Sequence, residues 1–237
     1  MASRNASFHE HGVAGVLLAP LKGLCVGVMI LCGLLLAAWI IDWVFVFRVW
    51  PDGIGRLQGI LDQALARTYD IECWCEDLPR LAVGTANFLY DMVFRVSGIH
   101  DMGVRFANQA ALSIPDTILR NAYRAGYEGL QVAMVGTQLF GVRFAVLLTA
   151  MPLLVLFYGV AVADGLVQRA LRRAGGGRES GSIYHRAKHG QIVILVAGAA
   201  VFLLVPSAID MWVLWEFALL TAAVLARMQW GYYKKHL

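Results

Sequence analysis

Two runs of about twenty residues contain no charged side chain, and this feature constrains the chain more than any other. They cover residues 144–163 and 191–209, and a third run, 23–47, contains a single acid. A helix needs roughly 20 apolar residues to cross a bilayer core of about 30 Å at 1.5 Å per residue. A fourth run, 211–226, is shorter and also contains one acid. The sequence therefore predicts an all-α integral membrane protein with four transmembrane helices.

The composition agrees with membrane insertion. Of the 237 residues, 59% are hydrophobic and 15% are charged, whereas a soluble domain carries about 25% charged residues. The first apolar run exceeds the roughly 7–15 residues that are typical of a cleaved signal peptide. Residues 23–47 are therefore expected to stay in the chain as a membrane anchor.

Lysine and arginine residues predict the orientation. The segments 1–22, 164–190 and 227–237 are net basic and hold all four lysines, whereas residues 48–143 have nine arginines against ten acids. Positive residues are retained on the cytoplasmic side, and an even number of spans places the three basic segments together. Both termini are therefore expected in the cytoplasm. Because topology explains the pI near 9, no direct nucleic-acid binding is expected.

The segment between the first two spans is expected to form a helical periplasmic domain. Apolar residues recur there every three or four positions, as at Ile54, Leu57, Leu61 and Leu65, which is typical of one buried helix face. The predicted organisation is a cytoplasmic tail at 1–22, transmembrane helices at 23–47, 144–163, 191–209 and 211–226, the periplasmic helical domain at 48–143, a basic cytoplasmic loop at 164–190 and a cytoplasmic tail at 227–237.

One cysteine pair lies in the exported segment, at Cys73 and Cys75. Disulfides persist in oxidising compartments, so a structural or intermolecular disulfide and free thiols are both open. A four-helix membrane oxidoreductase would use this pair for redox chemistry. Such an enzyme also needs a second outer pair, and the predicted outer turn at 206–210 has no cysteine.

The predicted spans contain two acids, Asp42 and Glu216, each roughly 7–8 Å from the outer edge of its span at the helical rise. Charges at such depth are costly and often functional. Each acid can extend towards the interface, pair with Arg48 or Arg143, or serve an ion pathway. The other spans offer no relay partners, which favours the first two interpretations.

No metal site and no cofactor are predicted. His185 and His189 lie one helical turn apart, which suits a metal, but no carboxylate or thiol completes a ligand set near them.

The basic loop contains the most specific pattern in the chain. Three glycines precede Arg178-Glu179-Ser180, and Tyr184-His185 follows. The spacing differs from a phosphate-binding loop because no Gly-Lys-Ser/Thr follows the glycines. These five residues are the predicted partner-binding site.

The same loop resembles a known family. Gly176 to Ser180 followed by Tyr184-His185-x-Ala187 is similar to the hallmark of membrane proteins encoded by integrating conjugative elements and some plasmids. The resemblance implies a bacterial inner membrane, a role in conjugative DNA transfer with a type IV secretion apparatus, and no known cofactor. It also implies the coupling ATPase, which delivers DNA to the channel, as a candidate partner.

The hypothesis is therefore a non-enzymatic accessory or structural subunit of a conjugative transfer apparatus. Its expected partners are membrane lipid, type IV secretion proteins and the coupling ATPase. Small residues at helical spacing, as at Gly23 and Gly27, allow close helix association, so homo-oligomers remain open. Other loop residues such as Arg172 are expected to serve orientation. The alternative class is a membrane enzyme or transporter that uses the intramembrane acids or the cysteine pair.

Reporter fusions test the orientation. A fusion near Asp101 should show periplasmic activity, because residues 48–143 lie beyond the first span, whereas fusions near Gly176 and after Lys235 should show cytoplasmic activity. Cytoplasmic activity at Asp101 would contradict the predicted topology.

Overall fold

A computed structural model describes residues 3–70, 77–108, 114–176, 181–207 and 211–233, without the side chains of residues 3–21, 107, 211, 212, 214 and 215. Within these residues the chain is helical apart from short turns and contains no strand, which confirms the all-α prediction. The helices are α1 (Ser3–Val44), α2 (Ile54–Asp70), α3 (Leu78–Tyr90), α4 (Ile99–Asn108), α5 (Ile114–Ala125), α6 (Tyr127–Ala174), α7 (Gly181–Leu204) and α8 (Met211–Gly231).

Helix α6 is the longest element and contacts most of the others. Its 48 residues span roughly 72 Å at 1.5 Å per residue, more than twice the thickness of a bilayer core. The helix ends before Gly175 and Gly176, and Gly176 has a φ of 69°. Glycine adopts this left-handed conformation without steric cost, so it stops the helix there.

Helix α1 runs antiparallel to α6. The indole N–H of Trp43 donates to the carbonyl of Gly129 at 3.1 Å, and the indole N–H of Trp39 donates to the hydroxyl of Thr137 at 3.0 Å. Further along, Leu35 lies in the core that includes residues of α6. The N-terminal part of α1 therefore points towards the C-terminal end of α6.

Helices α7 and α8 pack against the C-terminal half of α6. The Arg143 guanidinium donates to the carbonyl of Val205 at 2.8 Å, so α7 returns to the middle of α6. Helix α8 then runs parallel to α6, and Arg172 near the end of α6 bonds to Gly231 at the end of α8. The three helices thus form a bundle in which the end of α6, the start of α7 and the end of α8 lie together.

Helices α2 and α3 form a hairpin on the N-terminal half of α6. Leu57 and Ile60 of α2 pack against Val132 and Leu139 of α6. Helix α3 lies closest at Gly141, where a β-carbon would lie 2.6 Å from the Cα of Ala86. On α2, the periodic apolar residues that predict the helix are thus the residues that pack towards α6 and α3.

The prediction of four transmembrane helices is corrected to three among the described residues. Lys22–Val49, Tyr127–Ala174 and Gly181–Leu204 are long and apolar enough to cross a membrane. The predicted fourth span is helical, but α8 does not reach this standard within its described residues. The apolar run at 211–226 has 16 residues, fewer than the roughly 20 that a complete crossing needs.

Two glycines of α6 provide a matched test of the packing. Gly141→Ala should lower the melting temperature of the detergent-purified protein by roughly 3–10 °C, because an added methyl group meets the α3 backbone and overpacking costs about 1–3 kcal/mol. Gly159→Ala adds the same group where nothing lies within 4 Å. It should leave the melting temperature unchanged or raise it, since alanine is the better helix former. Equal effects would show that α3 does not approach Gly141 closely.

Candidate functional site

Basic and aromatic side chains converge where α6 ends, α7 begins and α8 ends. The sequence places arginines one turn apart on α6 and aromatic residues at the end of α8 and directly after it, and the parallel packing of α6 and α8 brings them together. We call this group the arginine–tyrosine cluster. Its members are Arg169, Arg172, Tyr184, Trp230, Tyr232 and Tyr233.

Arg172 connects α6 to the end of α8 in two ways. Its Nη1 donates to the carbonyl of Gly231 at 2.8 Å, and its guanidinium carbon lies 3.8 Å from the centre of the Tyr232 ring. The carbonyls of a last helical turn lack partners within the helix, so this bond satisfies one of them. A cation over an aromatic face adds about 0.5–2 kcal/mol, depending on solvent exposure.

Tyr184 connects α7 to the same aromatic group. Its ring lies 5.6 Å from that of Tyr233 at 61°, and Tyr233 in turn lies 5.2 Å from the guanidinium carbon of Arg169 and 5.7 Å from the Trp230 ring. Edge-to-face and tilted contacts of this kind are the favoured geometries of aromatic pairs. The cluster therefore joins all three helices.

An ion pair and a close backbone contact align α8 beside α6 just before the cluster. Asp164 pairs with Arg227. One position further, a β-carbon at Gly165 would lie 2.6 Å from the carbonyl oxygen of Arg227. Since the missing side chain permits this approach, the end of α8 is brought within reach of Arg172.

Two of the five predicted partner-binding residues lie at this cluster. Tyr184 is half-buried, and His185 is exposed with its ring 5.2 Å from that of Tyr184. Arg178, Glu179 and Ser180 lie outside the described residues. The partner-binding role of all five therefore stays a prediction.

Of the other residues singled out from the sequence, some lie within the described residues and some lie outside them. Cys73 and Cys75 lie outside the described residues, and Glu216 is exposed on α8. His189 uses Nδ1 for a 2.8 Å hydrogen bond with the carbonyl of His185. Within the described part of the chain, no three His, Cys, Asp or Glu residues group as metal ligands.

Asp42 lies in a second polar group, at the other end of the bundle. Its side chain is 3% exposed and faces Gly136, while Arg143, the opposite charge with which it interacts, is 6% exposed. Of the interpretations from the sequence, the structure favours an interaction with Arg143 over extension towards solvent. The interaction of Asp42 with Arg143 connects α1 to α6. The Arg143 bond to Val205 connects α6 to the end of α7.

Sequence analysis missed the roles of Arg169 and Arg172. The pattern of basic residues explains both by orientation alone, yet they are spaced three residues apart on α6, and residues at this spacing share one helix face. The aromatic pair Tyr232-Tyr233 near the chain end was the matching signal. Only the packing of α8 shows that the two sets meet.

One protein-family model covers most of the chain. The model described as "IncC plasmid conjugative DNA transfer protein DtrJ-like" matches residues 61–231, well over half of the chain. The expected association with conjugative transfer is thereby confirmed, whereas the particular family of integrating elements stays a prediction. No curated protein and no solved structure matches the chain.

Hydrogen exchange tests the contribution of Arg172. Arg172→Gln should speed amide exchange in the last turn of α8 by about tenfold, because it removes a charge-assisted bond and a cation–π contact worth roughly 1.5 kcal/mol together. Arg186→Gln removes the same charge from an exposed position on α7 and should leave this exchange unchanged. Identical rates in both variants would mean that Arg172 does not hold α8.

Proposed function

Since the chain belongs to the DtrJ-like family of conjugative DNA transfer proteins, we propose that it is a non-enzymatic inner-membrane subunit of a type IV secretion apparatus. Its role is to dock the coupling ATPase on the cytoplasmic side. The family match carries the assignment to conjugative transfer. The three long apolar helices are compatible with a membrane location.

The geometry of the helix ends supports a common cytoplasmic face. The basic loop follows α6, and the basic tail follows α8. The hydrogen bond from Arg172 to Gly231 joins these two helix ends directly. Helix α1 runs antiparallel to α6, which points its N terminus towards the same side. This is the arrangement that retention of positive residues in the cytoplasm favours.

The arginine–tyrosine cluster supports the docking role. His185 is exposed on the first turns of α7, next to a framework that the cluster holds in place. Arginine and tyrosine are enriched among the residues that dominate binding energy in protein interfaces. The proposed docking surface consists of residues 178–180 together with Tyr184 and His185.

A scaffold role accounts for the chain with fewer assumptions than a redox enzyme. A redox function would require Cys73 and Cys75 to exchange electrons with a further acceptor. Asp42 and Arg143 interact as buried opposite charges, which suits helix assembly. The proposed subunit therefore acts through contacts rather than through bond-making chemistry.

Two substitutions test the docking proposal. Tyr184→Ala and Glu179→Gln should leave the membrane level and topology unchanged but lower conjugation frequency and co-purification of the coupling ATPase by about ten- to a hundred-fold. A charge-assisted bond from Glu179 to Arg178 or to a partner arginine is worth about 1.5–3 kcal/mol, which corresponds to this range.

Arg186→Gln and Tyr184→Phe are the controls. The first removes an exposed charge of the same loop, and the second keeps the ring that packs on Tyr233. Both should transfer DNA at nearly the wild-type frequency. Equal, mild effects from all four changes would reduce the loop to a basic anchor and overturn the docking proposal.

A further inference from the structure

A cavity of about 500 Å³ lies between α3, α4, α5 and the start of α6, far from the arginine–tyrosine cluster. Met134 of α6 also borders it, and ten residues, or roughly 15 Å of helix, separate Met134 from the predicted membrane boundary at residue 144. Its size lies within the roughly 300–1,000 Å³ of small-molecule sites. The aromatic and polar residues of its wall are Tyr90, His100, Phe106, Tyr123, Arg124 and Tyr127.

Aromatic rings form the larger part of this wall. Tyr123 meets Phe106 edge to face at 5.4 Å and 73°, and lies 5.9 Å from the ring of Tyr127. Its position depends on Gly103, where a β-carbon would lie 3.1 Å from the Tyr123 Cζ. The rings are therefore held by their neighbours before any ligand enters.

Hydroxyl and imidazole groups lie between the rings. The Tyr90 hydroxyl lies 2.9 Å from Nδ1 of His100. Burial raises the pKa of the Tyr90 and Tyr123 hydroxyls above its usual value, so both remain protonated at neutral pH. The cavity thus combines flat apolar surfaces with groups that donate and accept hydrogen bonds.

Arg124 is the one arginine or lysine among the described residues that line the cavity. Arg105 and Arg120 flank the ring of Phe106, but Asp116 pairs with Arg105 at 2.7 Å and with Arg120 at 3.9 Å. Arg124 is exposed at the rim and, within the described part of the chain, forms no ion pair. A ligand in the cavity therefore contacts a single arginine side chain.

We propose that this cavity binds a carbohydrate that carries a carboxylate. The C–H bonds on one face of a sugar ring have positive partial charge and pack on the negative face of an aromatic ring. Sugar hydroxyls exchange hydrogen bonds with tyrosine and histidine, which both donate and accept. The carboxylate meets Arg124, whose planar guanidinium suits it.

The same features weigh against two other ligand classes. Single-stranded nucleic acid also stacks on aromatic rings, but its phosphates need several unpaired cations, and the described rim offers one. A purely apolar molecule would offer no partner to the Arg124 guanidinium at the rim, and covering that charge is unfavourable.

Calorimetric titration of the detergent-purified full-length chain tests the proposal without reference to topology. The probes are the disaccharide of N-acetylglucosamine and N-acetylmuramic acid from cell-wall glycan, a glucuronic-acid disaccharide typical of acidic envelope polysaccharides, and neutral N-acetylglucosamine disaccharide. At least one acidic sugar should bind saturably, and more tightly than the neutral one. The tighter of the two acidic probes identifies the source of the ligand.

Variants locate the site. Tyr123→Ala and Tyr127→Ala should each weaken binding by about tenfold or more through loss of stacking, whereas Tyr69→Ala, an exposed tyrosine on α2, should not change it. Arg124→Gln should abolish the preference for acidic sugars and leave the neutral sugar unaffected. Circular dichroism and melting temperature identify a variant that fails to fold. If one ring variant is unfolded, sugar binding by the other ring variant tests the site.

Three results would overturn the proposal. The first is an absence of saturable binding of both acidic sugars to the folded wild-type protein at millimolar concentration. The second is unchanged binding in the folded ring variants. The third is tighter, salt-dependent binding of an oligothymidine that the same variants abolish. None of these results bears on ATPase docking, which is measured separately at the other end of α6.

Discussion

The close approach of other helices to α6 is the constraint on which the fold depends. Gly129, Gly136, Gly141 and Gly165 are the points where α1, α3 and α8 lie against its backbone. Glycine in a helix interior costs about 1 kcal/mol relative to alanine. In apolar surroundings the close packing and backbone contacts that it permits offset this cost. Helices α1, α3 and α8 are thereby held against α6. The group around Asp42 and Arg143 and the arginine–tyrosine cluster both depend on this packing.

Much of the architecture follows from periodicity and charge. The apolar runs predicted the three helices that are long enough to span a membrane, and the apolar repeats predicted helices between the first two. The length of α6 was not predictable from the charge pattern, because Glu128 and Arg143 divide the outer part from the apolar part. In the structure Arg143 stays within the helix because Val205 and Asp42 compensate it.

The candidate sites were less predictable because they depend on packing between distant segments. Tyr184 and His185 were found from a local pattern, while their neighbour Tyr233 lies about fifty residues away in sequence. The aromatic cavity depends on α3, α4, α5 and α6 together. Its local signals, such as tyrosines at 123 and 127, are also typical of a membrane interface. Single-sequence patterns do not separate these two uses of tyrosine.

The proline near the middle of α6 has a mechanical consequence. Pro152 lies inside the helix and has no amide hydrogen to donate to the carbonyl one turn earlier, so helices bend preferentially at such residues. The aromatic cavity and the arginine–tyrosine cluster lie on opposite sides of it along the helix. A change of about 10° in this bend would move either end of α6 by roughly 6 Å at the helical rise. Occupancy of the aromatic cavity and contacts at the arginine–tyrosine cluster would then be coupled through a bend that lies within the apolar part of the helix.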